Sequence, residues 1–371
     1  MRLPTAIGNA GLAAAVLLLS GCGRPHAPAG DAASAGKAAP QVAAAPGAAP
    51  VQGPTLKAVR DRGRVICGIS DGMPGFASRD VLGQWHGFDI DICRAVAAAV
   101  LGDARRVTIQ AMDSKDRYSL LQAGKVDLIA RGGWTFVSDA GLGLSFVGAS
   151  YYDGQGFLVG KGLKNKTIDE LAGAKICVQA GTVNASNLAE HFQSLIEAKR
   201  PVYKAFDTAD EALDAYRTGV CQALSGELST LSALRSQLRD PDKHFFLHDA
   251  HTIEPEGPVV RQDDSQWADI VGWTLHAMVL AEEVGVNSRT VANDRTTPPR
   301  PEVQRLLQGD GYGQMLLLRE DWAFQIIRQV GAYNEVFDRN LGPATSLKME
   351  RGQNALWDSE PAGLLFAPPM R

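Results

Sequence analysis

The chain has 371 residues, 45% hydrophobic and 21% charged, with a formal net charge of −4. That composition belongs to a soluble globular protein, and the small negative balance excludes the broad basic surface that nucleic acid or an anionic membrane would require. Its length leaves room for two lobes of ordinary domain size.

Arg2 supplies a short positive start, and Gly11 to Leu19 is an apolar run too short to span a bilayer. The run ends in Leu19-Ser20-Gly21-Cys22, which resembles a bacterial lipobox, with small residues before the cut and then a cysteine. Residues 1–21 are therefore expected to be a lipoprotein signal peptide, and Cys22 the acylated (palmitate-bearing) residue that anchors the protein outside the cytoplasm. One acyl chain holds weakly, whereas several anchor firmly. From Gly23 to about Gly53 the sequence is almost entirely Ala, Pro and Gly. Such a stretch buries too little apolar surface to offset the entropy of ordering, so residues 22–54 read as a disordered leash.

Strand and helix alternate from there. Val65–Ser70 reads as a strand, Asp91–Leu101 as a helix stopped by Gly102, and Val107–Ala111 as a second strand. Ser114 is placed to cap a helix running to Ala123 and stopped by Gly124, before a third strand at Val126–Ala130. The same grammar returns later: a strand at Lys175–Ala180, helices at Ala185–Leu195 and Glu211–Arg217, and a strand at Val220–Leu224. Alternation of this kind predicts α/β lobes with parallel sheets, two of them on a similar plan.

Beyond Cys22 there are four cysteines, an even number for an oxidising compartment. They allow three connectivities. Cys67–Cys93 with Cys177–Cys221 is the expected one, because each pair then lies within one lobe. His244, His248 and His251 lie close in sequence but have no cysteine or supporting carboxylate beside them, so no metal site is expected. No spacing of Asp and Glu identifies an acid–base pair.

Ligands of open α/β sheets bind beyond the carboxyl ends of the strands. In the register above, Arg131 follows the strand Val126–Ala130 and Glu227 follows Val220–Leu224. A cation on one wall and an anion on the other suit a zwitterion, whose carboxylate takes a guanidinium fork and whose ammonium takes a carboxylate. Gly181-Thr182 opens a helix whose free N–H groups can hold an anion. Phe76, between Gly75 and Ala77, is placed to be an apolar platform, and Trp134, after Gly132-Gly133, to line the cleft.

Several blocks resemble the general L-amino-acid-binding proteins of bacterial ABC importers. They include Cys67-Gly68-Ile69-Ser70-Asp71-Gly72-Met73-Pro74-Gly75-Phe76, Gly87-Phe88-Asp89-Ile90-Asp91-Ile92-Cys93 and Tyr151-Tyr152-Asp153-Gly154-Gln155-Gly156-Phe157. Cys177-Val178-Gln179-Ala180-Gly181-Thr182 and Arg351-Gly352-Gln353-Asn354-Ala355-Leu356-Trp357 belong with them. The resemblance implies a two-lobed periplasmic-binding-protein-like fold of type II, closing about a hinge at Tyr151–Gly156 and Glu254–Pro258. Lobe 1 would comprise 55–155 and 256–371, and lobe 2 156–255.

It further implies a monomeric, periplasmic capture protein without a cofactor, whose partners are a small-molecule ligand and an ABC permease in the inner membrane. Asp71, Phe76, Trp134, Thr135 and Thr182 stand at loop or cleft positions of the family pattern, and Glu227 where an aspartate usually meets the ligand ammonium. One departure concerns the carboxylate: Ser138 occupies the place of the arginine that normally grips it. Two outcomes follow: either Arg131, brought inward by a turn one residue shorter, takes that role, which is the favoured expectation, or the ligand presents no free α-carboxylate there. The competing readings are an enzyme on the same scaffold, similar to cyclohexadienyl dehydratases, and a sensory binding lipoprotein without transport.

Overall fold

The computed structural model describes residues 51–371 apart from 114–115, 165–166, 168, 172, 192–201 and 248–251. Cys22 and the expected signal peptide, leash residues up to 50, Ser114, His248 and His251 lie outside the described residues.

Thirteen described strands build the fold: β1 (Val65–Ile69), β2 (Ser78–Arg79), β3 (Trp85–His86), β4 (Val107–Ala111), β5 (Leu128–Gly133), β6 (Leu144–Phe146), β7 (Tyr151–Asp153), β8 (Gln155–Gly160), β9 (Lys175–Gln179), β10 (Val202–Phe206), β11 (Ala223–Glu227), β12 (His244–Phe246) and β13 (Glu254–Arg261). One sheet has the order β4-β1-β5-β13-β6, with β7 also paired to β13, and the other β10-β9-β11-β8-β12. In each, the first strand of its lobe lies between the second and third, all parallel: β1 with β4 and β5, β9 with β10 and β11. In each, a strand arriving from the other lobe then pairs antiparallel: β13 on β5, β8 on β11. The chain leaves the first sheet at Asp153 and returns at Glu254, and these two residues face each other in the β7–β13 ladder.

The apolar strands β1 and β9 are covered on both faces, as expected of parallel sheet. The helix over β1 runs Phe88–Leu101, three residues longer at its start than the apolar spacing suggested. Its N-cap Gly87 has φ 133°, and a Cβ there would lie 2.0 Å from the Phe76 carbonyl oxygen, so only glycine permits this close approach. After β13 the chain is helical, and it completes the first core with Trp267, Trp322, Tyr333 and Phe337. Trp267 Nε1 donates to the Asp127 carbonyl at 2.9 Å, tying the long helix Ser265–Glu283 to the start of β5.

Both cysteine pairs are disulfides, Cys67–Cys93 at 2.12 Å and Cys177–Cys221 at 2.07 Å. Each fastens the first strand of its sheet: Cys67 to the covering helix, Cys177 to the residue two before β11.

Two strands sit later than expected. β5 begins at Leu128 rather than Val126, because the turn after the helix Arg117–Gln122 extends further. Lys125 N–H donates to Leu120 O, and Asp127 turns its carboxylate onto Arg62 and the Ile66 N–H. β11 begins at Ala223 rather than Val220, because Val220 N–H closes the preceding helix on Ala215 O and Cys221 is held by its disulfide. Arg131 and Glu227 are therefore inside their strands, not in the loops beyond. The helix expected at Ala185–Leu195 is described as Val183–His191.

Candidate functional site

Glu227 is the last residue of β11, directly opposite Gln155, the first residue of β8. Neighbours so paired in an antiparallel ladder project from the same face about 5 Å apart. The helix Val183–His191, which follows β9, brings Asn184 to the same place. Gln155 Nε2 donates to the Asn184 carbonyl and to Ser225 Oγ, each at 2.9 Å, and Asn184 Nδ2 donates to Glu227 Oε1 at 3.0 Å. A cavity of about 160 Å³ opens here, lined among others by Gln179, Thr182, Asn184, Ser225, Glu227 and Thr230. Its lining contains no lysine, arginine or histidine. Burial, reinforced by the nearby carboxylates of Asp153 and Glu254, raises the Glu227 carboxyl to about 8 against the pull of the Asn184 bond.

At the crossover the carboxylates are dense. Asp153 is buried and accepts from the Gly154 and Ser229 N–H groups at 2.9 and 3.2 Å. Burial and the charge of Glu256 nevertheless push it up to about 6. Arg131 lies among them, buried. Its Nε is 3.1 Å from both oxygens of Asp89, and its Nη1 is bonded to Glu256. Its Nη2 reaches Met73 Sδ at 3.1 Å, and its guanidinium lies 4.3 Å over the Phe76 ring. Burial disfavours the charged guanidinium, but Asp89 and Glu256 outweigh it, so Arg131 stays ionised.

Three sequence expectations are corrected here. Arg131 is 9% exposed and spent on two carboxylates, so it offers no free fork to a ligand carboxylate. Phe76 is fully buried and meets Phe88 and Tyr151 edge-on at 6.2 and 5.0 Å, so it is core rather than platform. Ser138 is also absorbed into the fold. It forms a reciprocal cap with Thr135 on the short helix Phe136–Ala140, and its Oγ donates to Gly133 O at 2.9 Å.

The remaining expected residues occupy strand ends. Asp71 and Thr135 are exposed, and Asp71 accepts from its neighbour Gly72 N–H at 2.7 Å. Trp134 is 37% exposed and stacks on Phe146 with centroids 5.8 Å apart. Thr182 Oγ1 donates to Gln179 O at 2.8 Å. His244 bonds the Tyr216 hydroxyl through Nδ1 at 2.7 Å. No cluster of three or more His, Cys, Asp or Glu side chains suited to a metal occurs among the described residues.

Sequence reasoning missed Asp89, Asp153, Gln155, Asn184 and Glu256 as site residues. Asp89, Asp153 and Gln155 lie inside the very blocks that carried the family resemblance. For Asn184 and Glu256 no local signal distinguishes them from solvated polar residues.

Two α/β lobes of one plan, joined by paired crossover strands and bearing polar groups at the ends of their central strands, define a two-lobed solute-binding protein. Residues 65–285 match the bacterial extracellular solute-binding proteins, family 3, and the chain belongs to that family. It is 45% identical over 321 residues to the putative amino-acid ABC transporter-binding protein YhdW of Escherichia coli K12, covering 86% of this chain and 93% of that one. It is 42% identical over 329 residues to the general L-amino acid-binding periplasmic protein AapJ of Rhizobium johnstonii, covering 88% and 95%. Among solved structures, a periplasmic binding protein from Brucella ovis with glutathione bound superposes with a TM-score of 0.75 at 39% identity, covering 85% of this chain and 99% of that one.

Proposed function

We propose that this protein captures an amino acid, or a small molecule carrying an amino acid's ammonium group, outside the cytoplasm and delivers it to an ABC permease. The observation that carries this reading is the Glu227 pocket, which faces a ligand with acceptors and without a competing cation. The relatives' names support the ligand class. In this reading Thr182 and Glu227 hold the ligand from lobe 2 (156–255), and Asp71, Trp134 and Thr135 close over it from lobe 1 (55–155 and 256–371). Arg131, Ser138 and Phe76 shape the first wall from beneath. Capture proceeds by closure about the two crossovers, as in other hinged binding proteins, and the ligand is released unchanged.

A thermal-shift screen of the mature protein against amino acids, amines and short peptides tests this. A ligand at a hundred times its dissociation constant adds about 2.7 kcal/mol of stability. Glu227→Ala should remove the shift, while a shift that survives this change would refute the assigned pocket.

The protein is held as a monomer on a membrane by acylated Cys22, with residues 23–53 as its tether. No described helix is long and apolar enough to cross a bilayer. Cys22→Ser should move the protein from the membrane to the soluble extracytoplasmic fraction. Persistence on membranes would refute the anchor.

A further inference from the structure

We infer that the Gln155–Asn184–Glu227 cluster holds a proton on Glu227 Oε2 while the cleft is empty and gives it up when a ligand ammonium binds. The inference rests on the amino-acid reading for its second half only; the stored proton is a property of the protein alone.

The geometry is one of surplus acceptors. Among the described residues, Gln155 Oε1, Asn184 Oδ1 and Glu227 Oε2 are buried and have no hydrogen-bond partner. The amide orientations are set by the bonds their nitrogens make. Gln155 Nε2 donates twice, and Asn184 Nδ2 donates to Glu227 Oε1, so both amide oxygens remain as acceptors. Gln155 itself is fully buried and Asn184 is 5% exposed. Three buried oxygens of one cluster that can only accept supply no donor to one another, and a buried acceptor left unmet is destabilising. Only one of the three can become a donor without moving, and that is the carboxyl of Glu227 on protonation.

The charges around the cluster act in the same direction. Asp153 on β7 and Glu254 and Glu256 on β13 all disfavour an anionic Glu227, and burial does so more strongly. On β8 and the helix Val183–His191 the facing groups, Gln155 and Asn184, are neutral amides. Arg131 on β5 is committed to Asp89 and Glu256, and Arg235, on the helix Leu228–Ser236 that follows Glu227, donates to the Leu347 carbonyl and lies 4.7 Å over the Phe246 ring.

An arriving ammonium brings three N–H donors and one positive charge. It stabilises the Glu227 carboxylate and the proton leaves for solvent, so one positive charge enters the site as another departs. Ligand capture is thereby linked to pH through a single group. Affinity should rise close to tenfold between pH 6 and 7 and level off above pH 8.

The stored proton is read without ligand by infrared spectroscopy of the empty protein. A carboxylic acid C=O band is expected at pH 7, absent from Glu227→Gln, retained in Asp153→Asn and lost with a midpoint near pH 8. Glu227→Gln copies the neutral form, so it should fold as well as wild type. Absence of that band overturns the inference, as does a band that Asp153→Asn removes and Glu227→Gln leaves. L-Glutamine is the probe for the exchange. Its saturation should abolish the band, and calorimetry in phosphate and Tris should report nearly one proton released per ligand. Binding without proton release overturns the exchange. If neither L-glutamine nor any other standard L-amino acid binds, the amino-acid reading fails and the exchange with it, while the band still decides the stored proton.

Discussion

Replacing Arg131 with methionine is expected to destabilise the protein by about 3–5 kcal/mol at neutral pH, the usual consequence of removing one partner from a buried ion pair. The substitution keeps much of the side chain's length, so the loss is chiefly electrostatic. It strands Asp89, which is 2% exposed and whose two carboxylate oxygens both accept from the guanidinium. It also frees Glu256 to repel Asp153, its neighbour at the crossover. The sign of the pH dependence follows. Burial already raises Asp89, with Arg131 opposing. Without Arg131 its folded pKa lies still further above the unfolded value, so the deficit is greatest at neutral pH and shrinks as pH falls toward 4. Urea unfolding at pH 7 and pH 5 measures both quantities. A loss below about 1 kcal/mol at pH 7 would mean that the cluster is far better hydrated than its burial implies. Adding Asp89→Asn to Arg131→Met should recover part of the stability, because the stranded charge is then gone. If instead Arg131 gripped ligand and not protein, the single change would spare stability and remove binding.

The double change Cys177→Ser and Cys221→Ser should cost about 4 kcal/mol, and Cys67→Ser with Cys93→Ser slightly less. The bridges span 44 and 26 residues, and loop-closure entropy grows only logarithmically with loop length. Equilibrium unfolding of oxidised wild type against each double variant gives the numbers, and non-reducing peptide maps verify the two pairs. Each disulfide joins residues around a single sheet and leaves the crossovers free, so closure is not locked. Ligand affinity should therefore change little in either variant. A large affinity change would show that a bridge also sets the lobe geometry.

The amino-acid sequence by itself determined the α/β alternation, the repetition of one plan in two lobes and the partition of four cysteines into two bridges. These follow from local causes. Apolar runs such as Val65–Ile69 favour strands, Gly102 and Gly219 end helices in left-handed turns, and β1, β4 and β9 lie within a residue of their expected bounds. The place of Glu227 at the carboxyl end of a strand was also legible, because the elements around that strand repeat those of the first lobe.

Only the tertiary structure decided what the other site groups touch. Asp89, Arg131 and Glu256 are separated by 42 and 125 residues and meet because β13 returns beside β5. No short-range pattern encodes that return, so a buried, neutralised arginine reads in sequence as an available one. Phe76 reads as a loop aromatic, yet Gly87 brings the helix Phe88–Leu101 against its backbone and the ring fills the core. Ser138 was the exception with a local signal, since Thr135-x-x-Ser138 has the spacing of a reciprocal helix cap. Gln155, Asn184 and Glu227 come from three separate segments, joined by the antiparallel strand that crosses from one lobe to the other. Chain reversal at the crossover creates that cluster, because strand pairing places side chains by register across the sheet and not by distance along the chain.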